Sequence, residues 1–501
     1  MLRPGEITRP AASFSPIPAN SLTAGPAGKT IDPVLPAASR APSSRGDGPL
    51  QEVRVTKRDR WVRFAAALLV GAVTAATAGR VEAAGFSIFE QGSRATGMGG
   101  AFVAVANDGS AMFYNPAGLA KQAKGFNVMT GMTLIIPDAE MTGLAPYPGP
   151  SYSASQEPMV FFPPNLYVTM PLSECVVLGL GTWFPYGLTT AWENQDQWAG
   201  RYISQRGELR NFTVGLQAAW QIADWIGIGG GPELRITDVK LQRNVPLFNP
   251  YTNRVVDVAH TDIQSEGMEY DIGYGVGIML TPVEGLNIGA SYHSRHEADY
   301  TGRAYFYQFS TGYADLDALV ASRIPVSPNA SGAFVPVPVK TAIQYPAMTQ
   351  LGASYTFAEK FTLSFAANYT EWDYFKETVL AFEKTNGIQV PTNVIAHDYE
   401  NAWAFRVGGL LKVSDHFDLQ LGWVYDQTPQ PDKSVGPLLP DANRTGYTIG
   451  FSMPLFWGIK ADLSYMALFF HERTTTTNKD NFNGTYDTFA HLIGGNLRAS
   501  F

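Results

Sequence analysis

From Phe126 to its last residue, Phe501, the chain is written in long runs that alternate apolar and polar side chains, and this alternation restricts the folds open to it. Phe361, Leu363, Phe365, Ala367 and Tyr369 form one face of such a run, and Thr362, Ser364, Ala366, Asn368 and Thr370 form the other. Trp403, Phe405, Val407, Gly409 and Leu411 oppose Arg406 and Lys412. Phe417, Leu419, Leu421, Trp423 and Tyr425 oppose Asp418, Gln420 and Asp426, and Ile493, Leu497 and Phe501 oppose Asn496, Arg498 and Ser500. Strands of a soluble sandwich need only about five or six residues. These runs last about 11 to 15, the length a tilted strand needs to cross a bilayer. The expected fold is all-β: a transmembrane antiparallel β-barrel.

The runs fall near 126–137, 165–172, 176–187, 209–222, 226–242, 269–282, 286–302, 342–357, 361–375, 401–413, 417–427, 445–455, 458–470 and 490–501. That gives roughly fourteen strands, an even number as bacterial barrels require. The connections test the count. Short turns at 171–175, 222–225, 281–285, 358–360, 414–416 and 455–457 each follow an even-numbered run, and long loops follow the odd ones. Turns belong on the periplasmic side and loops outside, so both chain ends are expected in the periplasm of a Gram-negative cell.

The N-terminal region points to export. Lys57, Arg58, Arg60 and Arg63 precede an apolar stretch from Phe64 to Ala78, and Val81-Glu82-Ala83 has small residues where a signal peptidase cuts. Residues 63–83 are therefore expected to be a signal peptide, and residues 1–62, rich in Pro, Ser and Ala, a disordered extension or a start site assigned too far upstream. The stretch is too short to span as a helix. With 45% apolar residues and no long apolar run, the remainder is not a helical membrane protein. A net charge of −8 gives no reason to expect nucleic acid as a partner. Cys175 is the only cysteine and falls in a turn, which excludes an internal disulfide.

Parity on the fifth run places candidate binding residues. If Ile226, Ile228, Leu234 and Ile236 face lipid, then Glu233, Arg235, Val239, Leu241 and Arg243 face the lumen. Val239 and Leu241 would line a tail pocket that Arg243 caps by pairing with a carboxylate; the other reading is an arginine held in an ion-pair network with barrel acids. Lys240 points the opposite way. On the third run Pro185 removes a ladder donor and Gly187 loosens the backbone, so pairing is expected to falter around Trp183, Phe184, Pro185 and Gly187, unless the strand merely ends there in its loop. An enzyme is disfavoured. His293 and His296, three apart in one strand, are expected on opposite faces, unable to share a metal, and no nucleophile motif surrounds the other histidines. No cofactor is expected.

The segment between Ala83 and the first run carries the most specific residues: Gly85-Phe86 near its start, a Gly- and Ala-rich stretch, and Asn115-Pro116-Ala117 at its end. Together with Trp183-Phe184-Pro185-Tyr186-Gly187-Leu188, Trp198-Ala199-Gly200-Arg201-Tyr202, and Tyr425-Asp426 followed by Pro440-Asp441-Ala442-Asn443-Arg444, it resembles the bacterial outer-membrane long-chain fatty acid transporters of the FadL/TodX type (OMPP1-type hydrocarbon transporters). The resemblance implies that residues 84–125 form a hatch inside the lumen of a fourteen-stranded barrel built from 126–501. It implies passive transport of long-chain fatty acids or related hydrophobic compounds. The steps are capture on the loops, binding in a lumen pocket, hatch movement and lateral exit beside the third strand. Lys240-Leu241-Gln242-Arg243 looks like the family's Lys-x-x-Arg, whose arginine meets the fatty-acid head group. A periplasmic tail is the other reading of 84–125, but it would leave Phe86, Phe102 and Phe113 wet.

A buried acyl chain gains about 0.8 kcal/mol per methylene, so a set of apolar sites serves such cargo better than a wet pore. Rival readings are uptake of aromatic hydrocarbons, a general diffusion porin and a lipolytic enzyme. Expected partners are the hydrophobic cargo, outer-membrane lipid and the barrel-assembly machinery, read through Phe501; a monomer is the family expectation.

Overall fold

A computed structural model describes residues 85–122, 125–325 and 335–501. The expected signal peptide and the extension before it lie outside the described residues. Fourteen strands form the wall: β1 Asn127–Gly143, β2 Pro164–Pro171, β3 Val176–Ala191, β4 Arg206–Ala223, β5 Ile226–Asn249, β6 Glu269–Val283, β7 Leu286–His293 continued as His296–Gln308, β8 Val337–Tyr345 continued as Met348–Phe357, β9 Phe361–Thr370, β10 Ala402–Ser414, β11 Phe417–Asp426, β12 Arg444–Pro454, β13 Ile459–Phe470 and β14 Gly484–Ser500. Each pairs antiparallel with its neighbour in sequence, and β1 pairs with β14 from Asn127↔Ser500 to Gly143↔Gly484, which closes the cylinder. Closure leaves the wall without a free edge, the condition for placing strands in hydrocarbon.

Alternation along each strand decides which side chains meet lipid. Leu180, Leu216, Leu351, Leu421 and Leu463 are exposed on the outside, whereas Ser364, Asn368, Arg406, Gln420 and Asn496 are buried within. Among the described residues no helix is long and apolar enough to cross a membrane.

Several elements differ from the sequence parse. β1 and β14 run further because they go on pairing with each other above the wall, and β9 stops at Thr370, where Trp372–Tyr374 turns in a 3-10 helix. β7 is broken at Ser294–Arg295, and the expectation that His293 and His296 face opposite sides is wrong. The break resets the alternation, Ser294 Oγ accepts from Tyr274 N at 3.0 Å, and both imidazoles are buried in the lumen.

Above the wall β5 continues to Asn249 and pairs with Arg254–Ser265, which in turn pairs with the upper part of β7. Glu377–Phe382 pairs with Asn393–Ala396 and with the upper part of β8. These extensions share an apolar cluster of Val258, Phe306, Val337 and Leu380.

The segment 85–122 fills the lumen. It holds α1 Ser93–Gly97, α2 Ala111–Tyr114 and a 3-10 turn Pro116–Lys121, and Phe102, Phe113 and Tyr114 are at most 1% exposed. Its backbone presses so closely on the wall that lumen-facing positions must be glycine. A Cβ on Gly277 would lie 2.2 Å from Asn115 Oδ1, and one on Gly422 2.2 Å from Gly99 N.

Candidate functional site

The interior face of β5 carries two arginines in unlike surroundings. Glu233 and Arg235 are almost fully buried, and Arg235 Nη2 donates to Glu233 Oε2 at 2.9 Å while its Nη1 faces His296 Nδ1 at 2.8 Å. His293 completes the cluster, with Nδ1 2.8 Å from Glu233 Oε1 and Nε2 2.7 Å from the Phe113 carbonyl of the luminal segment. The donors of Arg235 are thus used within the protein, and Arg235 lies apart from the cavity that the other three predicted residues share.

Val239, Leu241 and Arg243 line one cavity of 320 Å³. Its apolar and aromatic walls are Phe86 from the luminal segment, Leu209 from β4, Ile343 from β8, and Leu380, Phe375 and Tyr399 from the loop after β9, and Glu208, Lys433, Lys479 and Asp480 form a charged side. Among the described residues the Arg243 guanidinium has neither an ion pair nor a side-chain hydrogen bond, whereas Lys240 is 3.5 Å from Asp262 and Arg201 is bonded to Asp257 at 2.9 Å. Lys433 and Lys479, also at this cavity, both engage Asp398 and, Lys479 foremost, hold its carboxyl down at about 2. Asp480 lines the same cavity and acts on Arg243 through space; burial raises its carboxyl although Arg243 acts in the opposite direction. His397 stacks on Phe375 with centroids 4.0 Å apart, and burial pushes its imidazole down to about 3. The arrangement offers a largely apolar volume with one guanidinium that makes no ion pair among the described residues and can bind an anionic group.

The second feature lies on β3. β2 stops pairing with β3 at Leu166↔Thr182, and on the other edge of β3 the register slips between Trp183↔Thr213 and Tyr186↔Asn211, leaving Phe184 and Pro185 opposite Phe212. Beside this bulge is a cavity of 540 Å³ bounded by Ile135 and Ala139 of β1 and by Phe184, Gly187 and Leu188 of β3. Its lining includes lumen groups such as Arg406, Arg444 and Leu492, and also Val160 and Phe162, which are 52% and 63% exposed on the outside. Trp183 is only 1% exposed, stacked on Tyr167, and lines neither cavity; Pro185 shapes the bulge without lining it.

The luminal segment occupies the edge of β3 that β2 leaves open. Ile88 N donates to Pro185 O at 2.9 Å, and Gly187 N donates to Phe86 O at 3.0 Å. The Gln91 carboxamide donates to Phe184 O at 2.7 Å and to Ile88 O at 2.8 Å, and accepts from Phe184 N at 3.0 Å. Phe86, Leu188, Leu209 and Leu439, together with Glu208, line both cavities, so one mostly apolar layer of side chains separates them. Gly85 N donates to Asp441 Oδ2 at 3.0 Å, and Gly85 takes a φ of 56° with Trp372 packed where a Cβ would be. Asn115 Oδ1 accepts from Ala117 N at 3.2 Å and Asn115 Nδ2 donates to Ile278 O and Val103 O, both at 3.0 Å; Pro116 opens the 3-10 turn against Gly229. Gln91 and Trp372 escaped the sequence reading, and Asp441 stood there only within the run that carries the resemblance, with no role given to it. Pro185 and Gly187 marked the bulge, but no periodicity marked the groups that meet it.

Residues 74–501 match the family model described as outer membrane protein transport protein (OMPP1/FadL/TodX). The chain is similar to the 47 kDa outer membrane protein of Pasteurella multocida, 23% identical over 449 residues that cover 88% of this chain and 99% of that one. Among solved structures it resembles a Pseudomonas aeruginosa FadL homologue, with a TM-score of 0.71 and 20% identity over 83% of this chain and 100% of that one. It also resembles the Ralstonia pickettii toluene transporter TbuX, with a TM-score of 0.59 and 16% identity over 83% and 100%.

Proposed function

This chain belongs to the outer membrane protein transport protein family (OMPP1/FadL/TodX), and from that premise we propose that it carries long-chain fatty acids or closely related amphiphiles passively across the outer membrane. The wall of fourteen strands is an outer-membrane β-barrel, with its short turns toward the periplasm. The observation that carries the substrate reading is Arg243. It is a guanidinium without an ion pair among the described residues, at the wall of a largely apolar cavity whose floor is Val239 and Leu241. A carboxylate there would gain charge-assisted hydrogen bonds, and the acyl chain would lie among Leu209, Ile343 and Leu380.

Passage then follows the shared apolar layer. Displacement of Phe86 joins the Arg243 cavity to the one beside the β3 bulge, and the cargo leaves sideways between β1 and β3, past Phe184 and Phe162, into the membrane. In this reading the segment 84–125 is a movable hatch, held at Gly85, Phe86, Asn115, Pro116 and Ala117. The aromatic rings of Phe86, Phe375 and Tyr399 around the same cavity favour a second cargo, an uncharged aromatic hydrocarbon of the kind named for TbuX.

The deciding experiment is binding of oleate, methyl oleate and an alkylbenzene to the purified protein. The Arg243→Ala variant is expected to lose about 1.5–3 kcal/mol of oleate affinity, roughly ten- to a hundredfold, with methyl oleate unaffected. Equal affinity of variant and parent for oleate removes the head-group role and leaves the hydrocarbon reading.

A further inference from the structure

The edge of β3 between Phe184 and Gly187 should, in a regular barrel, be hydrogen-bonded to β2, which is absent at that height. Its backbone groups are nonetheless satisfied from within the lumen. Residues 86–88 make an antiparallel bridge at Ser87↔Tyr186, and the flanking bonds Ile88 N to Pro185 O and Gly187 N to Phe86 O identify that bridge as a non-hydrogen-bonded pair, the kind in which side chains stand closest. Below it the Gln91 carboxamide donates to Phe184 O and accepts from Phe184 N, the pair of bonds that the N–H and C=O of one residue in a neighbouring antiparallel strand would make. Its second amide proton returns to Ile88 O and so ties the substitute peptide to the pairing segment. Gln91 is 3% exposed, and nothing else among the described residues hydrogen-bonds Phe184 from that side.

We propose that Gln91 is the positioning residue that couples hatch displacement to the shape of the lateral opening. The inference rests on the lateral-exit reading given above. With Gln91 in place the bulge is held against the lumen, and the luminal segment serves as the missing stretch of strand. When the segment leaves, Phe184 N, Phe184 O and Pro185 O lose their partners together inside a largely apolar cavity, an arrangement that polar groups do not sustain. The bulge then rearranges in the same event, and the passage does not open before the hatch releases its cargo path. A glutamine suits this task because one planar group presents donor and acceptor side by side. Glutamate keeps the shape but has no donor for the two carbonyls, and methionine keeps the length but has neither.

The test uses the full chain in the outer membrane and in lipid bilayers, with Gln91→Glu and Gln91→Met, each also placed in a Ser87→Cys, Tyr186→Cys, Cys175→Ser background. In the parent background the two cysteines stand at the bridge and are expected to form a disulfide readily, which arrests uptake until reduced. Both Gln91 variants are expected to slow that disulfide severalfold and to raise steady ionic current severalfold. Their half-saturating oleate concentration should stay unchanged, a split that a general loss of folding would not produce. Cross-linking and current at parental levels in either folded variant overturn the proposal. Loss of oleate binding in the parent, with the Gln91 effects on cross-linking and current intact, instead overturns the substrate reading and leaves the coupling standing.

Discussion

Arg235 and Arg243 project from the same face of β5 into the same lumen, yet Arg235 is bonded to Glu233 at 2.9 Å while Arg243 makes no ion pair among the described residues, Asp480 acting on it only through space. The difference lies in what stands opposite each of them. His293, His296 and the carbonyl of Phe113 build a polar pocket at the lower level; at the upper one the loops bring Phe375, Leu380 and Tyr399, and the lysines there engage Asp398. The two arginines are therefore expected to answer substitution differently.

Arg235→Met leaves Glu233 buried beside His293 with one partner removed. A loss of about 3–5 kcal/mol of stability is expected, the usual result of breaking a buried pair from one side. Urea unfolding in lipid vesicles, followed by the mobility of folded barrel on a gel, measures it. Oleate affinity of the protein that remains folded should stay at the parental value, since Arg235 does not line the cavity.

Gly277→Val pushes a side chain into Asn115, where even a Cβ would lie 2.2 Å from Oδ1. The luminal segment must shift, at a cost of about 1–3 kcal/mol. Steady current through single barrels in a planar bilayer is expected to rise from near zero. The same substitution at Gly409, whose Cβ would approach no closer than 3.4 Å to Phe361, serves as the control and should leave the current as it was.

Removing Pro185 lets Phe184 face Phe212 and closes the register slip without exchanging inside for outside, because Trp183 and Tyr186 keep their lumen parity. Uptake into cells should fall by about tenfold or more, while purified protein binds oleate as before. Parental uptake in this variant would falsify exit beside β3.

The Arg243 cavity is expected to weaken in acid. His397, held at about 3 in the folded loop, takes a proton near 6.5 once the loop opens. The open form thus binds more protons between those values. The loop's stability is complete above about 6.5 and declines as pH falls, by at most about 2 kcal/mol at pH 5. Asp398, held at about 2 by Lys479 and Lys433, contributes stability above its ordinary value that is lost only as pH drops toward 2, so it is silent in this window. Oleate affinity measured from pH 7.5 to 5 should fall in the parent and stay flat in His397→Gln.

What the chain determined by itself was the wall. A period of two, sustained long enough to cross hydrocarbon and interrupted by turns at Pro171, Ala358 and Leu455, leaves a closed antiparallel barrel as the solution, because each lipid-facing side chain at one position obliges a lumen-facing one at the next. The same parity put Val239, Leu241 and Arg243 on the inner face. Pro185 and Gly187 marked the interruption on β3, but the break on β7 and what meets either interruption were not legible. The break at Ser294 that turns His296 inward, the register slip at Phe184, and the partners of both are settled by contacts between residues far apart in sequence, such as Gln91 with Phe184 and His293 with Phe113. Alternation is a local property of the backbone, whereas a lumen arginine's freedom depends on which acids the other strands and loops bring near it, and only the folded barrel decides that.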